Sequence, residues 1–393
     1  MKRTIYFDHN ATTPVWPEVS QAMEPFWEGL YGNPSSIHQA GMVVARELRQ
    51  VRREVADLLG AGDESEIIFT SGGTESNNTA LRSALWTQRQ RRGLVTTAVE
   101  HSSVLKPVRA LQEEGVEVVW VPVSDEGELD REKLRKAVTE KTAVVSVMMS
   151  NNETGVIFPV EEIGREVREK GALFHVDAVQ AVGKIPFSVK SLAIDFLSLS
   201  AHKLGGPKGV GVLYVRKGVP FRPLVFGGSQ ERARRAGTEN VPGIIGLGAV
   251  CRRLRKGLAE EVMRTQKLRD HFEEELLRTI PKVQVNGTQG NRLPNTSNLA
   301  FEGVDAEALL ILLDQEGVYA SSGSACISGS PEPSHVLKAM GFSDERAKSS
   351  VRFSLGPENT LEEVDFVIHL LERLVQRLRG IELKEQHPHS LIQ

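Results

Sequence analysis

The chain has 393 residues, 40% of them hydrophobic and 25% charged, with a formal net charge of −3. That balance describes a soluble globular protein and gives no global electrostatic case for nucleic-acid or membrane binding. The length exceeds what one hydrophobic core usually organises, so two domains are expected.

Only two cysteines occur, Cys251 and Cys326. They exclude a disulfide framework and any cysteine-only zinc or iron–sulfur site, and they suit a reducing cytoplasm. No run approaches the roughly 18 apolar residues of a membrane-spanning helix. The first residues lack the apolar stretch and cleavage site of a signal peptide. The basic clusters Arg89–Arg92 and Arg252–Lys256 read as solvated surface, with a partner patch as the alternative.

Short apolar runs alternate with amphipathic stretches through the middle of the chain. Strands are expected at 66–70, 93–99, 116–121, 143–149, 173–176, 196–199 and 210–215. Helices are expected at 102–114, 130–139 and 160–170. Alternation of this kind implies crossovers and a mostly parallel sheet, with 210–215 placed to run antiparallel because it follows its predecessor closely. A long helix starts at Val241-Pro242 and runs to about Thr279. Beyond it, a strand at 296–301 and helices at 305–316 and 361–379 suggest a smaller α/β domain.

Three motifs carry chemistry. Phe69-Thr-Ser-Gly-Gly-Thr-Glu-Ser76 joins a strand to a helix, where glycines permit a sharp turn and the first amides favour an anion such as phosphate. The alternative is a plain helix cap by Ser71 or Thr74. A P-loop is excluded, because no Gly-Lys-Ser/Thr follows. Asp177, in His175-Val-Asp-Ala-Val-Gln180, ends a strand, where open parallel sheets bind ligands. It can pair with a cationic ring nitrogen or serve as a hydrogen-bonded loop residue. Lys203 follows 26 residues later in Ser200-Ala-His-Lys-Leu-Gly-Gly-Pro207. It leaves an apolar strand for a rigid turn, and partial desolvation lowers an amine's pKa and makes it nucleophilic.

Ten segments together resemble the pyridoxal-phosphate enzymes of fold type I, in the class V aminotransferase family, and specifically the NifS/IscS cysteine desulfurases. They are Tyr6–Thr13, Gly32–His38, Ser71–Asn78, Val99–Ser103, Asn151–Gly155, His175–Gln180, Ser200–Lys203, Arg235–Asn240, Ser321–Cys326 and Ser350–Gly356. The resemblance implies a large domain with a mostly parallel seven-stranded sheet over 15–255. It implies a smaller domain from 1–14 and 256–393 that carries the Cys326 loop. It also implies pyridoxal 5'-phosphate as cofactor and an obligate homodimer.

By motif, Lys203 would attach the cofactor covalently, Asp177 would pair with the ring nitrogen, and Gln180 would hydrogen-bond the phenolic oxygen. His101 would stack on the ring and move protons. Gly73, Thr74, Ser200 and His202 would hold the phosphate, joined by Thr238 of the neighbouring subunit. Asn152 and Arg352 would bind the substrate carboxylate. Without the motif, His101 reads as a helix cap and Arg352 as a surface arginine. His9, His38, His175 and His335 keep structural readings.

Cys326 sits in a run of small residues, glycine and proline that reads as an exposed loop offering no apolar packing. Cys251, in an apolar run, reads as an inert buried thiol. The expected reaction is conversion of L-cysteine to L-alanine with a persulfide on Cys326. Sulfur would then pass to an iron–sulfur scaffold, tRNA thiolation or another acceptor. The competing readings are an aminotransferase or selenocysteine lyase with Cys326 incidental, and a non-catalytic scaffold partner. Ile327 and His9 stand where the family more often has a small polar residue and Asn.

Overall fold

A computed structural model describes residues 4–322 and 333–380. Its strands in chain order are β1 (Ile5–Tyr6), β2 (Ile67–Thr70), β3 (Gly93–Thr97), β4 (Glu117–Val121), β5 (Thr142–Met148) and β6 (Leu173–Asp177). They continue with β7 (Phe196–Ser200), β8 (Gly211–Val215), β9 (Val283–Val285), β10 (Thr296–Phe301), β11 (Val318–Tyr319) and β12 (Ser350–Ser354).

Seven strands form the main sheet in the order β2-β8-β7-β6-β5-β3-β4. Every residue of β5, β6 and β7 is buried, as expected for strands covered on both faces. Only β8 runs against its neighbours β2 and β7. The expected strands and the antiparallel β8 are therefore present, with ends displaced by one or two residues.

Amphipathic helices cover this sheet. In Gln39–Leu59 the residues Val44, Leu48, Val51, Val55 and Leu59 recur at helical spacing, are buried, and face one core. Gly60 ends the helix in the left-handed region, φ +69°. Burying each such side chain contributes about 1.5–3 kcal/mol relative to leaving it exposed.

The helix Val241–Thr279 begins with Pro242 in its first turn and an Asn240 cap. Its 39 residues span about 58 Å at 1.5 Å per residue. Its first third packs into the main core through Ile244, Leu247 and Leu254. Its last third packs through Leu268, Phe272 and Leu276 into a second core with Ile5, Phe7, Phe353 and Leu371. That second core is built on the antiparallel sheet β12-β10-β9, and β1 pairs with β11 beside it. The first residues of the chain thus pack with the last third. Among the described residues, no helix is long and apolar enough to cross a membrane.

Candidate active site

The parallel strands β3, β5, β6 and β7, together with β2, end on one side of the main sheet. The turns that follow them supply the walls of a cavity of about 390 Å³. Ten of the twelve residues expected at the site line it: Gly73 and Thr74 after β2, His101 after β3, Asn152 after β5, Asp177 and Gln180 at the end of β6, Ser200, His202 and Lys203 at the end of β7, and Arg352 from β12. Thr238 is exposed and does not line it. Cys326 lies outside the described residues.

The glycine loop makes an anion cradle. Gly72 precedes the helix Gly73–Thr87, and no side chain caps that helix, so neither Ser71 nor Thr74 serves as the cap. Close packing requires the glycines: a Cβ on Gly73 would lie 2.7 Å from Val179 Cγ2, and one on Gly211 would lie 2.5 Å from the Gly72 backbone. Ser200 and His202 line the same cavity. Burial, reinforced by Lys203 and Lys208, pushes His202 down to about 4, so its ring is neutral at pH 7.

Asp177 is 6% exposed. Its Oδ1 accepts from the Val179 amide at 3.0 Å and its Oδ2 from Asn77 Nδ2 at 2.7 Å. No lysine or arginine pairs with it among the described residues, which leaves a buried acceptor-only carboxylate matched to a cationic N–H.

Lys203 Nζ donates to the carbonyls of Asn10 at 2.6 Å and Ala11 at 2.7 Å. Gln180 donates from Nε2 to the same Asn10 carbonyl at 2.9 Å and accepts at Oε1 from Lys184 at 2.6 Å. Lys184 also donates to Asn10 Oδ1 at 2.8 Å. Burial, and then the Lys203 and Arg352 charges, hold Lys184 well below the usual lysine range.

Arg352 is not the surface residue its type suggests, being 2% exposed. Its Nη2 donates to Asp8 Oδ1 at 2.7 Å and its Nη1 to the Asn152 carbonyl at 3.1 Å, while Nε is buried without a hydrogen-bond partner. His101 combines both of its readings. It caps the helix Ser102–Glu113 through Nδ1, and its ring lines the cavity. Burial lowers its pKa, with Asp177 opposing and Lys203 and His335 reinforcing.

His9, His38, His175 and His335 each sit in a structural setting. His38 caps the helix Gln39–Leu59, and His175 sits fully buried between Ser146 and Ser198. His335 donates to the Glu100 carbonyl at 3.0 Å, and His9 is buried beside Tyr6. Cys251 is fully buried with its pKa pushed up by that burial, an inert thiol. Asp8, Asn10, Asn77 and Lys184 were not singled out by sequence reasoning. The faint signal was that the first three fall inside matching segments and Lys184 is one helical turn from Gln180.

The Aminotransferase class-V family matches residues 5–367. The cysteine desulfurase NifS of Azotobacter vinelandii is 50% identical over 377 residues, covering 96% of this chain and 94% of that protein. Among solved structures, a NifS-like protein superposes with a TM-score of 0.90 at 40% identity, covering 95% of this chain and all of that one. A structure of SspA in complex with cysteine superposes with a TM-score of 0.80 at 34% identity, covering 91% of this chain and all of that one. The chain belongs to the class-V aminotransferase family, whose cofactor is pyridoxal phosphate. Within it, the chain stands among the cysteine desulfurases of the NifS type.

The donor set fits that cofactor. An uncapped helix N-terminus suits a phosphate. The buried Asp177 carboxylate, without a basic partner among the described residues, suits a protonated ring nitrogen. Lys203 lines the same cavity, with its Nζ donating to two backbone carbonyls.

Proposed function

We propose that this protein converts L-cysteine to L-alanine and leaves the sulfur as a persulfide on Cys326. The observation that carries the reading is the cavity, which Lys203, Asp177 and the glycine loop line together with Arg352 from the small sheet. Bound pyridoxal phosphate would supply the electron sink that weakens the substrate's Cα–H and Cβ–S bonds.

The chain's own residues do the rest. Lys203 would anchor the cofactor, and its Nζ would move the Cα proton. Asp177 holds the ring nitrogen, Gln180 the phenolic oxygen, and Gly73, Thr74, Ser200 and His202 the phosphate. Asn152 and Arg352 hold the substrate carboxylate, for which a guanidinium fork is suited. His101, which lines the cavity, would stack on the ring and serve proton transfer near the sulfur. The Cys326 thiolate attacks the substrate sulfur: the S–S bond forms as the Cβ–S bond breaks, and the carbon takes up a proton to give alanine.

The ends of the segment that carries Cys326 support its part. Ser321 exchanges backbone hydrogen bonds with Arg352, and Ser334 donates to Glu153. Cys326 follows Ser321 by five residues, a contour of at most about 18 Å.

The same reading includes a homodimer in which Thr238 reaches the partner's phosphate site. Its support is that Thr238 is exposed and outside its own cavity, and that the protein exposes the large apolar side chains Trp27, Tyr31, Ile37 and Phe226. It also includes two domains, 15–255 and 1–14 with 256–393, supported by a core whose residues all fall in the second of them. The setting would be the cytoplasm, and the acceptor an iron–sulfur scaffold or another sulfur-receiving protein.

The test is to incubate the holoenzyme with L-cysteine and a reductant and measure alanine and sulfide. Wild type should release both, and Cys326→Ser neither. Equal sulfide from the two proteins would overturn the persulfide route, and a keto-acid requirement would point to an aminotransferase instead.

A further inference from the structure

His101 is tied to Asp177 by a buried chain of hydrogen bonds whose direction is fixed at each link. Asn77 Nδ2 lies 2.7 Å from Asp177 Oδ2 and 2.8 Å from Ser103 Oγ. Ser103 Oγ lies 2.8 Å from His101 Nδ1, and the Ser103 backbone amide lies 3.1 Å from the same nitrogen. Asn77 is 0% exposed and Ser103 7%.

A carboxylate only accepts, so Asn77 must turn its NH2 toward Asp177. The second hydrogen of that amide then goes to Ser103 Oγ. Having accepted there, the serine hydroxyl has its single hydrogen to give to His101 Nδ1. The backbone N–H of Ser103 aims at the same nitrogen, and a backbone N–H cannot accept. Two donors therefore converge on Nδ1, which must carry a lone pair. The proton of the neutral ring is on Nε2, at the ring edge away from the helix cap.

We propose that Asn77 and Ser103 are positioning residues that hold His101 as an Nε2–H donor. The proposal rests on the reading of His101 as the residue that serves proton transfer, and it fixes the direction of that service. A neutral ring with Nε2–H cannot take a thiol proton at Nε2. It can donate a hydrogen bond to sulfur as negative charge develops there. The deprotonation of an attacking or departing thiol then falls to another group, such as the amine of Lys203. Among the described residues, charged and titratable groups that face His101 from neighbouring elements include Asp177 at the end of β6, Lys203 after β7 and His335 of the helix His335–Ala339.

Imidazole-15N-labelled holoenzyme provides a readout independent of turnover, with the His101 signals assigned by their loss in His101→Gln. The expected wild-type spectrum at pH 7.5 shows a pyridine-type Nδ1 and a pyrrole-type Nε2 (about one pH unit above an ordinary histidine midpoint). In Ser103→Ala, which removes one donor to the neutral ring, the His101 protonation midpoint should rise by about half a unit to one unit. Ser103→Thr keeps the hydroxyl and should restore it. A pyrrole-type Nδ1 in the wild type, or a Ser103→Ala midpoint equal to the wild type's, would overturn the proposal.

Turnover separates this from the underlying reading. A donor role predicts that His101→Gln, whose amide NH2 sits near the place of Nε2, retains at least tenfold more alanine formation than His101→Ala. Equal loss in both variants indicates a base and overturns the donor role. Full activity in both would remove His101 from the chemistry altogether, whatever its tautomer.

Discussion

Arg352 meets the ligand cavity already paired: its Nη2 lies 2.7 Å from Asp8 Oδ1. The arginine comes from β12 and the aspartate from the segment after β1, so the pair joins two ends of the chain. A substrate carboxylate would be the second anion on one guanidinium. Replacing Asp8 by Asn keeps a hydrogen-bond acceptor but leaves the buried charge uncompensated in the free protein. Asp8→Asn should therefore lower stability by about 3 kcal/mol in denaturant titrations. The same change should lower the KM for L-cysteine, because the substrate would then restore the missing charge. Arg352→Lys should raise that KM by about 10–100-fold, since a lysine cannot present a fork.

Asp177 is predicted to be indispensable for its charge and not for its shape. Asp177→Asn keeps the size but cannot match a cationic ring nitrogen. Loss of one partner of a buried charge pair costs about 3–5 kcal/mol, so turnover should fall by roughly 10²–10³-fold or more. Alanine formation at saturating cofactor measures this, with Asp177→Glu as the charge-retaining control.

Acid should destabilise the fold through buried neutral histidines. Burial pushes His9 down to about 4 and His175 to about 3. Each binds a proton more readily when unfolded, so stability falls as pH drops below about 6.5 toward those values. At pH 4.5 the cost is about 2 kcal/mol for each. Denaturant midpoints between pH 7 and 4.5 measure the slope, and His9→Asn should flatten it.

Glu100 acts with the opposite sign. Full burial pushes it up to about 8, with Oε1 accepting from Thr97 and the Met148 amide and Oε2 left buried without a hydrogen-bond partner. Its contribution is fully present below about 4.5 and is lost as pH rises through about 8. Glu100→Gln, which keeps Oε1 and is neutral at every pH, should be the more stable protein at pH 8.5 and should lose this dependence. Thermal midpoints of both proteins at pH 6 and 8.5 decide it.

Much of the site could be read in the sequence because its residues sit where strands of a parallel sheet end. Asp177, Lys203 and His101 each follow an apolar run directly, so local pattern and chemistry coincide. The supporting contacts were not legible. Lys184 reads as one more surface lysine, and only the fold brings Asn10 from 174 positions away to meet it. The strand β12 was seen as a motif and not as a strand, because five residues give too short a pattern to separate from a loop. Its pairing with β10 and its bridge from Asp8 to Ser354 are long-range facts. Ser103 drew notice only as part of a matching segment, since its role depends on Asn77, 26 residues away.

Asn10 also sets when the enzyme can first exist during synthesis. Its carbonyl receives Lys203 and Gln180, while its own amide is held by Ser354 Oγ, 344 positions later. A ribosome that has made β7 adds the lysine three residues later, but the strand that fixes the carbonyls facing it is still about 150 residues away. At about 5–20 residues per second, that is a wait of roughly 8–30 s. During that interval the nascent chain exposes a nucleophilic amine without its finished pocket. Cofactor capture is thus expected as a late event, after the chain's two ends have met.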